Sequence, residues 1–174
     1  IPVSVGCADT PAASYALGTA PGTSPFLIMG TTHVVNSCLS APDLRARALQ
    51  RRGLRPGEWL INGVTNGGDC LAVAASLLGF GGKESAVREV IRLANGLSPD
   101  EVEAAPFFIP HVMPERGPFW FEQPTAGLTG VTRSTTREQL ARAIVDGVIY
   151  ADRMVLEATV PPGDQAIYLT GAFG

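Results

Sequence analysis

The chain has 174 residues, the length of one ordinary domain with a sizeable core. Hydrophobic residues make up 45% and charged residues 17%, which excludes a disordered chain. The net charge of -3 leaves no basic excess to hold nucleic acid or an anionic membrane surface, so neither is expected as a partner.

Taken in chain order, Pro2 to Gly6 reads as a short buried strand. Asp9 and Thr10 then act as a polar cap before Pro11 and an alanine-rich helix that ends at Gly18. The stretch from Thr19 to Ser24 is a turn. Pro25 to Met29 and His33 to Leu39 are two strands, and the tight Gly30-Thr31-Thr32 turn between them predicts an antiparallel hairpin. Ser40 to Gly57 carries Arg45, Arg47, Arg51, Arg52 and Arg55, and reads as a solvated loop or short helix rather than an anion site. Trp59 to Val64 is a further strand, punctuated by Asn66-Gly67-Gly68. Cys70 to Leu78 is an apolar, buried helix, after which Gly79, Gly81 and Gly82 break the chain. Glu84 to Asn95 is amphipathic, with Val87, Ile91 and Ala94 on one face, and ends at Gly96. Phe107 to Ile109 is a short strand, and Pro110 to Pro124 is a loop rich in proline and aromatics. Thr135 or Thr136 caps a helix from about Arg137 to Glu157, with Leu140, Ile144, Val148 and Met154 at helical spacing. Gln165 to Leu169 is the last strand, ending at Gly171. Interleaved strands and helices make this an α/β domain.

Cys7, Cys38 and Cys70 are odd in number and widely spread, which argues against a disulfide framework or a zinc site and fits a reducing cytoplasm. No apolar run reaches the roughly 18 residues of a membrane helix. His33 and His111 are single histidines in apolar contexts and read as core or surface residues rather than ligands. Both ends of the sequence read as cuts in a longer chain. Asp9 lies just past a strand at a helix start. Its spacing alone suits a helix N-cap, although a carboxylate at the carboxyl end of a sheet also suits a general base.

The run from Ala126 to Asp146, AGLTGVTRSTTREQLARAIVD, resembles the second signature of the FGGY carbohydrate kinases. Ala126, Leu128, Gly130 and Val131 match its first cluster; Gln139, Leu140, Ala143, Ile144, Val145 and Asp146 match its second. The loop PHVMPERGPFW resembles the family's proline-rich loop through Glu115, Arg116, Pro118 and Trp120, with Pro114 in the place of a glycine. Thr125 stands where an arginine is usual, and no Asp-Pro follows Trp120. A Glu115–Arg116 pair is expected to organise this loop through charge-assisted hydrogen bonds.

The resemblance implies an actin-like, ribonuclease-H-like fold with a mixed sheet and an early antiparallel hairpin flanked by helices. It implies a single domain over residues 1–174, most of the C-terminal nucleotide-binding domain of a xylulokinase-like enzyme, without the N-terminal sugar-binding domain that would be its partner. The activity implied is ATP-dependent phosphorylation of a sugar hydroxyl, with ATP and Mg2+ as cofactors and a pentulose such as xylulose as acceptor. Asp9 is then the catalytic base, Gly30, Thr31 and Thr32 cradle the ATP phosphates, and Gly171 packs near the adenosine. Gly67 and Gly68 match a glycine-rich turn near the nucleotide, while general grounds make them a structural turn. A homodimer is expected by resemblance, and the isolated piece is expected to be inactive. The rival readings are a non-catalytic nucleotide-binding or interaction module on the same fold, and a chaperone ATPase, against which the signature argues.

Overall fold

The computed structural model describes residues 6–81, 85–160 and 166–171. The first predicted strand at 2–6 and the residues after Gly171 fall outside them, apart from Gly6, as do Gly82, Glu84 and Gln165. Helix α1 (Asp9–Ala16) leads into β1 (Phe26–Met29) and β2 (His33–Leu39), which pair antiparallel from Phe26 with Asn36 to Met29 with His33. The hairpin follows from two apolar runs joined by three turn residues, as its sequence predicts. Next come β3 (Leu49–Arg52) and β4 (Trp59–Thr65), both antiparallel to their neighbours. Helices α2 (Gly67–Leu77), α3 (Ala86–Ala94) and α4 (Pro99–Glu103) follow. Strands β5 (Phe107–Ile109) and β6 (Gly127–Thr129) form a separate two-stranded sheet. Helix α5 (Arg137–Thr159) then crosses to β7 (Tyr168–Gly171), which lies parallel to β1. The main sheet is therefore mixed, in the order β3-β4-β2-β1-β7.

Several elements differ from their sequence reading; β7, for one, starts at Tyr168 rather than upstream of it. The basic stretch contains a strand, not only a loop or short helix. In β3, Arg51 pairs opposite Leu60 and Arg52 opposite Trp59, whose ring lies 4.6 Å beneath the Arg52 guanidinium. Charged residues are tolerated there because β3 is an edge strand, where they also discourage pairing with another chain. Helix α2 begins at Gly67, three residues earlier than its apolar stripe, since two glycines hide the start of a helix from any reading by propensity. Helix α4 is a short addition, and its carboxylate cap explains it. Glu101 accepts hydrogen bonds from the Ser98 amide at 2.8 Å and the Ser98 hydroxyl at 2.6 Å.

Helix α5 starts where its capping residues place it. The Thr136 hydroxyl accepts from the Gln139 amide, and the Gln139 side chain accepts from the Thr136 amide. The helix serves two cores. Its first half packs Ala141, Ile144 and Val148 against Cys70, Ala74 and Val90 of α2 and α3. Its second half sets Val155 against Leu27 and Val35 of the sheet. Gly63 on β4 leaves the room this needs, because a Cβ there would run into Val155 and Thr159. One sheet face is thus sealed by α5. On the opposite face Asn36, Asn62 and Arg51 form a polar ladder across three adjacent strands: Arg51 Nε donates to the Asn62 oxygen at 3.1 Å, and the Asn62 amide donates to Asn36.

Among the described residues no helix is long and apolar enough to cross a membrane. The three thiols are free. Burial pushes the Cys70 thiol up from the ordinary 9.0 to about 12, and burial also raises Cys38, with the nearby Glu58 charge adding to it.

Two outcomes are expected. Val155→Ala removes two methyl groups from a fully buried site and should destabilise the fold by about 2 kcal/mol, measured by denaturant unfolding. At pH 8 an alkylating reagent should label the exposed Cys7 and spare Cys38 and Cys70 until the chain unfolds, as read by mass spectrometry. The same burial sets a pH dependence. Below pH 9.0 the Cys70 thiol is protonated in folded and unfolded chains alike. As pH rises from 9.0 toward about 12 only the unfolded thiol ionises, so this contribution to stability is progressively lost.

Candidate active site

The α1 start, the β1–β2 turn, strands β3 and β4, and the loop before Pro118 surround a cleft of 430 Å³. Asp9 and Thr32 line it together, along with Asn66, Asp69, Glu115, Arg51 and Arg116. Asp9 and Thr32 therefore face one space, whereas Gly30 and Thr31 are not among the residues that line it. Asp9 is not the helix cap that its spacing suggests: Ala8 holds the N-cap position with extended backbone, and Asp9 is the first helical residue. Its Oδ1 accepts from the Thr10 amide at 2.6 Å and from the Thr10 hydroxyl at 3.3 Å. No protein group among the described residues donates to its Oδ2, and the side chain is exposed to the cleft.

The Gly30–Thr32 turn is held by its carbonyl oxygens. Gly68 N–H donates to Gly30 O at 3.1 Å, Asp69 N–H to Thr31 O at 2.8 Å, and Gly30 N–H to Thr32 O at 3.2 Å. All three acceptors are thus occupied. The amides and hydroxyls of Thr31 and Thr32 donate to no acceptor among the described residues, and both side chains are exposed. Carbonyls so engaged leave the turn with unpaired donors, the kind of group that an anion would need. This donor set fits the oxygens of a phosphate.

Gly67 and Gly68 do not line the cleft. They are buried at the amino end of α2, where a Cβ on Gly67 would overlap the His33 ring and one on Gly68 would overlap the Gly30 carbonyl. The Gly68 amide, directed at Gly30, is not turned to a ligand. Lacking a Cβ, they let α2 dock flush on the turn. Gly171 is also outside the cleft. It pairs with Met29, the residue before Gly30, at φ +110, a backbone conformation that favours glycine, and its Cα faces the Met29 backbone. The carboxyl ends of β1 and β7 thus lie side by side next to the turn.

Several residues that shape the site carried little signal in the sequence. Glu115 is buried and accepts from Asn66 twice, from the backbone amide at 3.2 Å and from Nδ2 at 2.5 Å. His111 Nδ1 stands 3.2 Å from the same oxygen, in ion-pair range but outside hydrogen-bond geometry. Glu115 therefore organises its loop as expected, but with Asn66 in place of Arg116. Arg116, whose guanidinium has no protein partner among the described residues, is one of the residues that line the cleft. His33 belongs to the interior, as its apolar context predicts. Its Nδ1 lies 2.8 Å from Asp152 Oδ2, and Thr65 donates to Asp152 Oδ1 at 3.0 Å. Asp152 could have been flagged, because it interrupts the Val148 and Val155 stripe of α5. Among the described residues no cluster of three or more metal-ligating side chains exists.

No curated protein sequence matches the chain. Solved structures do. Xylulose kinase from Bifidobacterium adolescentis is 29% identical with a TM-score of 0.77, over 96% of this chain and 32% of its own. Xylulose kinase from Rhodospirillum rubrum is 25% identical with a TM-score of 0.72, over 89% of this chain and 31% of its own. Glycerol kinase from Plasmodium falciparum, solved with ADP, is 12% identical with a TM-score of 0.70, over 95% and 34%, and so shares the fold alone. The chain spans about a third of the length of each of these. Its fold is the actin-like ATPase fold of those sugar kinases. The family model described as the C-terminal domain of the FGGY family of carbohydrate kinases matches residues 21–171, a span that opens after Asp9 and closes on Gly171. This chain belongs to the FGGY family of carbohydrate kinases.

Proposed function

We propose that this chain is the nucleotide-binding side of a sugar-kinase cleft, and that in a longer enzyme it takes part in moving the γ-phosphoryl group of ATP to a sugar hydroxyl. Thr32 in one cleft with Asp9, together with the unpaired donors of Thr31 and Thr32, carries the reading. Likeness to the xylulose kinases favours a pentulose as the acceptor. The sugar contacts come from an N-terminal domain that closes over this one.

Asp9 takes the proton. With Oδ1 held by Thr10, Oδ2 is the atom that receives the hydrogen of the sugar hydroxyl. The freed oxygen attacks the γ-phosphorus, the bond to the bridging oxygen of ADP breaks, and ADP leaves. The Thr31 and Thr32 amides and hydroxyls hold the phosphate chain in line, so the chain's contribution is orientation and charge stabilisation. Gly67 and Gly68 act through the turn by setting how closely α2 supports it. Gly171, at the end of β7 beside the turn, packs near the adenosine in this reading. Magnesium bound with the nucleotide would offset the phosphate charge.

The test uses the enzyme that contains both domains. Asp9→Asn should lower kcat by about 10²- to 10⁴-fold, the scale of a lost general base, and leave the KM for ATP unchanged. Thr32→Val should raise the KM for ATP, since it removes a donor that meets the phosphates. The isolated chain should release no ADP in a sugar-dependent way. Full turnover by Asp9→Asn would sink the base assignment and leave a non-catalytic nucleotide-binding module as the better reading.

A further inference from the structure

A buried polar network lies directly behind the phosphate turn. His33 follows Thr32 in sequence, is 1% exposed, and stands opposite Thr65 in the β2–β4 ladder. Asp152, on the sheet-facing side of α5, meets both: one oxygen lies 2.8 Å from His33 Nδ1, and the other accepts the Thr65 hydroxyl at 3.0 Å. The His33 ring lies against the Gly67 Cα, where a Cβ would overlap it. Its Nε2 is buried and makes no hydrogen bond. An ionisable pair in such a place is costly, and an apolar pair of the same size would pack there without the desolvation penalty. What the polar pair adds is direction. A hydrogen-bonded imidazole has one orientation, whereas an apolar side chain held by shape alone has several.

The direction matters because of what leans on the ring. The ring backs Gly67, the first residue of α2. The next two α2 amides, those of Gly68 and Asp69, donate to the Gly30 and Thr31 carbonyls and so hold the backbone of the turn, whose Thr31 and Thr32 donors stay unpaired among the described residues. Asp152 is thereby the tie between the long α5 helix and the turn. We infer that His33, Asp152 and Thr65 are positioning residues that set the phosphate turn for nucleotide, acting through the amino end of α2. This rests on the reading of the turn as the phosphate site. None of the three lines the cleft as a ligand contact except Thr65, whose hydroxyl is committed to Asp152. The network therefore acts on the nucleotide and not on the sugar.

The experiment is steady-state kinetics on the two-domain enzyme, with the thermal midpoint of each variant measured alongside. Asp152→Leu and His33→Phe should each raise the KM for ATP about tenfold, the scale of one charge-assisted hydrogen bond, and leave the KM for the sugar unchanged. The double variant should be no worse than either single one, because the two residues form one contact. Asp152→Asn should restore the ATP KM to within about threefold: its oxygen accepts from His33 and its NH2 donates to the Thr65 hydroxyl. Thr65→Val, which keeps the shape, covers the case in which the Leu or Phe variants do not fold, and should raise the ATP KM about threefold by loss of one neutral hydrogen bond. An unchanged ATP KM in folded variants overturns the inference. So does a rise shared equally by the sugar KM, which marks a merely structural role. Thr32→Val separates the two readings. A normal ATP KM in that variant removes the phosphate turn itself and this inference with it. A raised value there, beside normal values for His33, Asp152 and Thr65 variants, removes only this one.

Discussion

The docking of the α2 amino end onto the β1–β2 turn is the constraint on which the site depends. Two amides of one element, Gly68 and Asp69, satisfy two carbonyls of another, Gly30 and Thr31, and a third carbonyl is closed within the turn. A helix normally leaves its first amides for solvent, a cap or a ligand. Here they are given to the backbone of a hairpin. Each carbonyl of the turn thereby has a backbone donor, while the Thr31 and Thr32 amides and hydroxyls have no acceptor among the described residues. The proposed preference of the turn for anionic oxygen rests on that imbalance of donors over acceptors, before any side-chain charge is considered.

Two glycines make that docking possible, and each answers a different neighbour. Gly67 yields to the His33 ring, and Gly68 to the Gly30 carbonyl. The surrounding structure keeps them in place from behind. Asp152 reaches from α5 to His33 and Thr65, Glu115 reaches from its loop to Asn66, and Asn66 passes Nδ2 to the Met113 carbonyl at 3.0 Å. The turn, the helix start and the loop are bound into one rim by buried polar contacts, each with its partner far off in sequence.

That separation explains what was legible in the chain and what was not. The hairpin and the capping box of α5 are local patterns, and they stand where the residues place them. The juxtaposition of Asp9 with Thr32 was open to a reader through the family resemblance; periodicity alone left Asp9 as a cap. The β3 strand was hidden because its four residues, Leu49 to Arg52, show no apolar alternation, and pairing with β4 decides their conformation. The role of His33 was hidden for a stronger reason. A lone histidine in an apolar strand says nothing about a carboxylate 119 residues away, and only the crossing of α5 over the sheet brings them together. Asn66-Gly67-Gly68 was visible as a turn, but the direction of its amides belongs to tertiary structure.

The polar ladder of Arg51, Asn62 and Asn36 has a consequence for how the sheet comes apart. Most strands are registered by an oily stripe, which punishes a slip by exposing it. The β3 strand has none, so its alignment on β4 is keyed by the Arg51–Asn62 hydrogen bond instead. A key of that kind loosens when water competes for it, whereas the centre under Val155 stays dry. Fraying is accordingly expected at the arginine-bearing margin before the β2–β4 centre of the sheet.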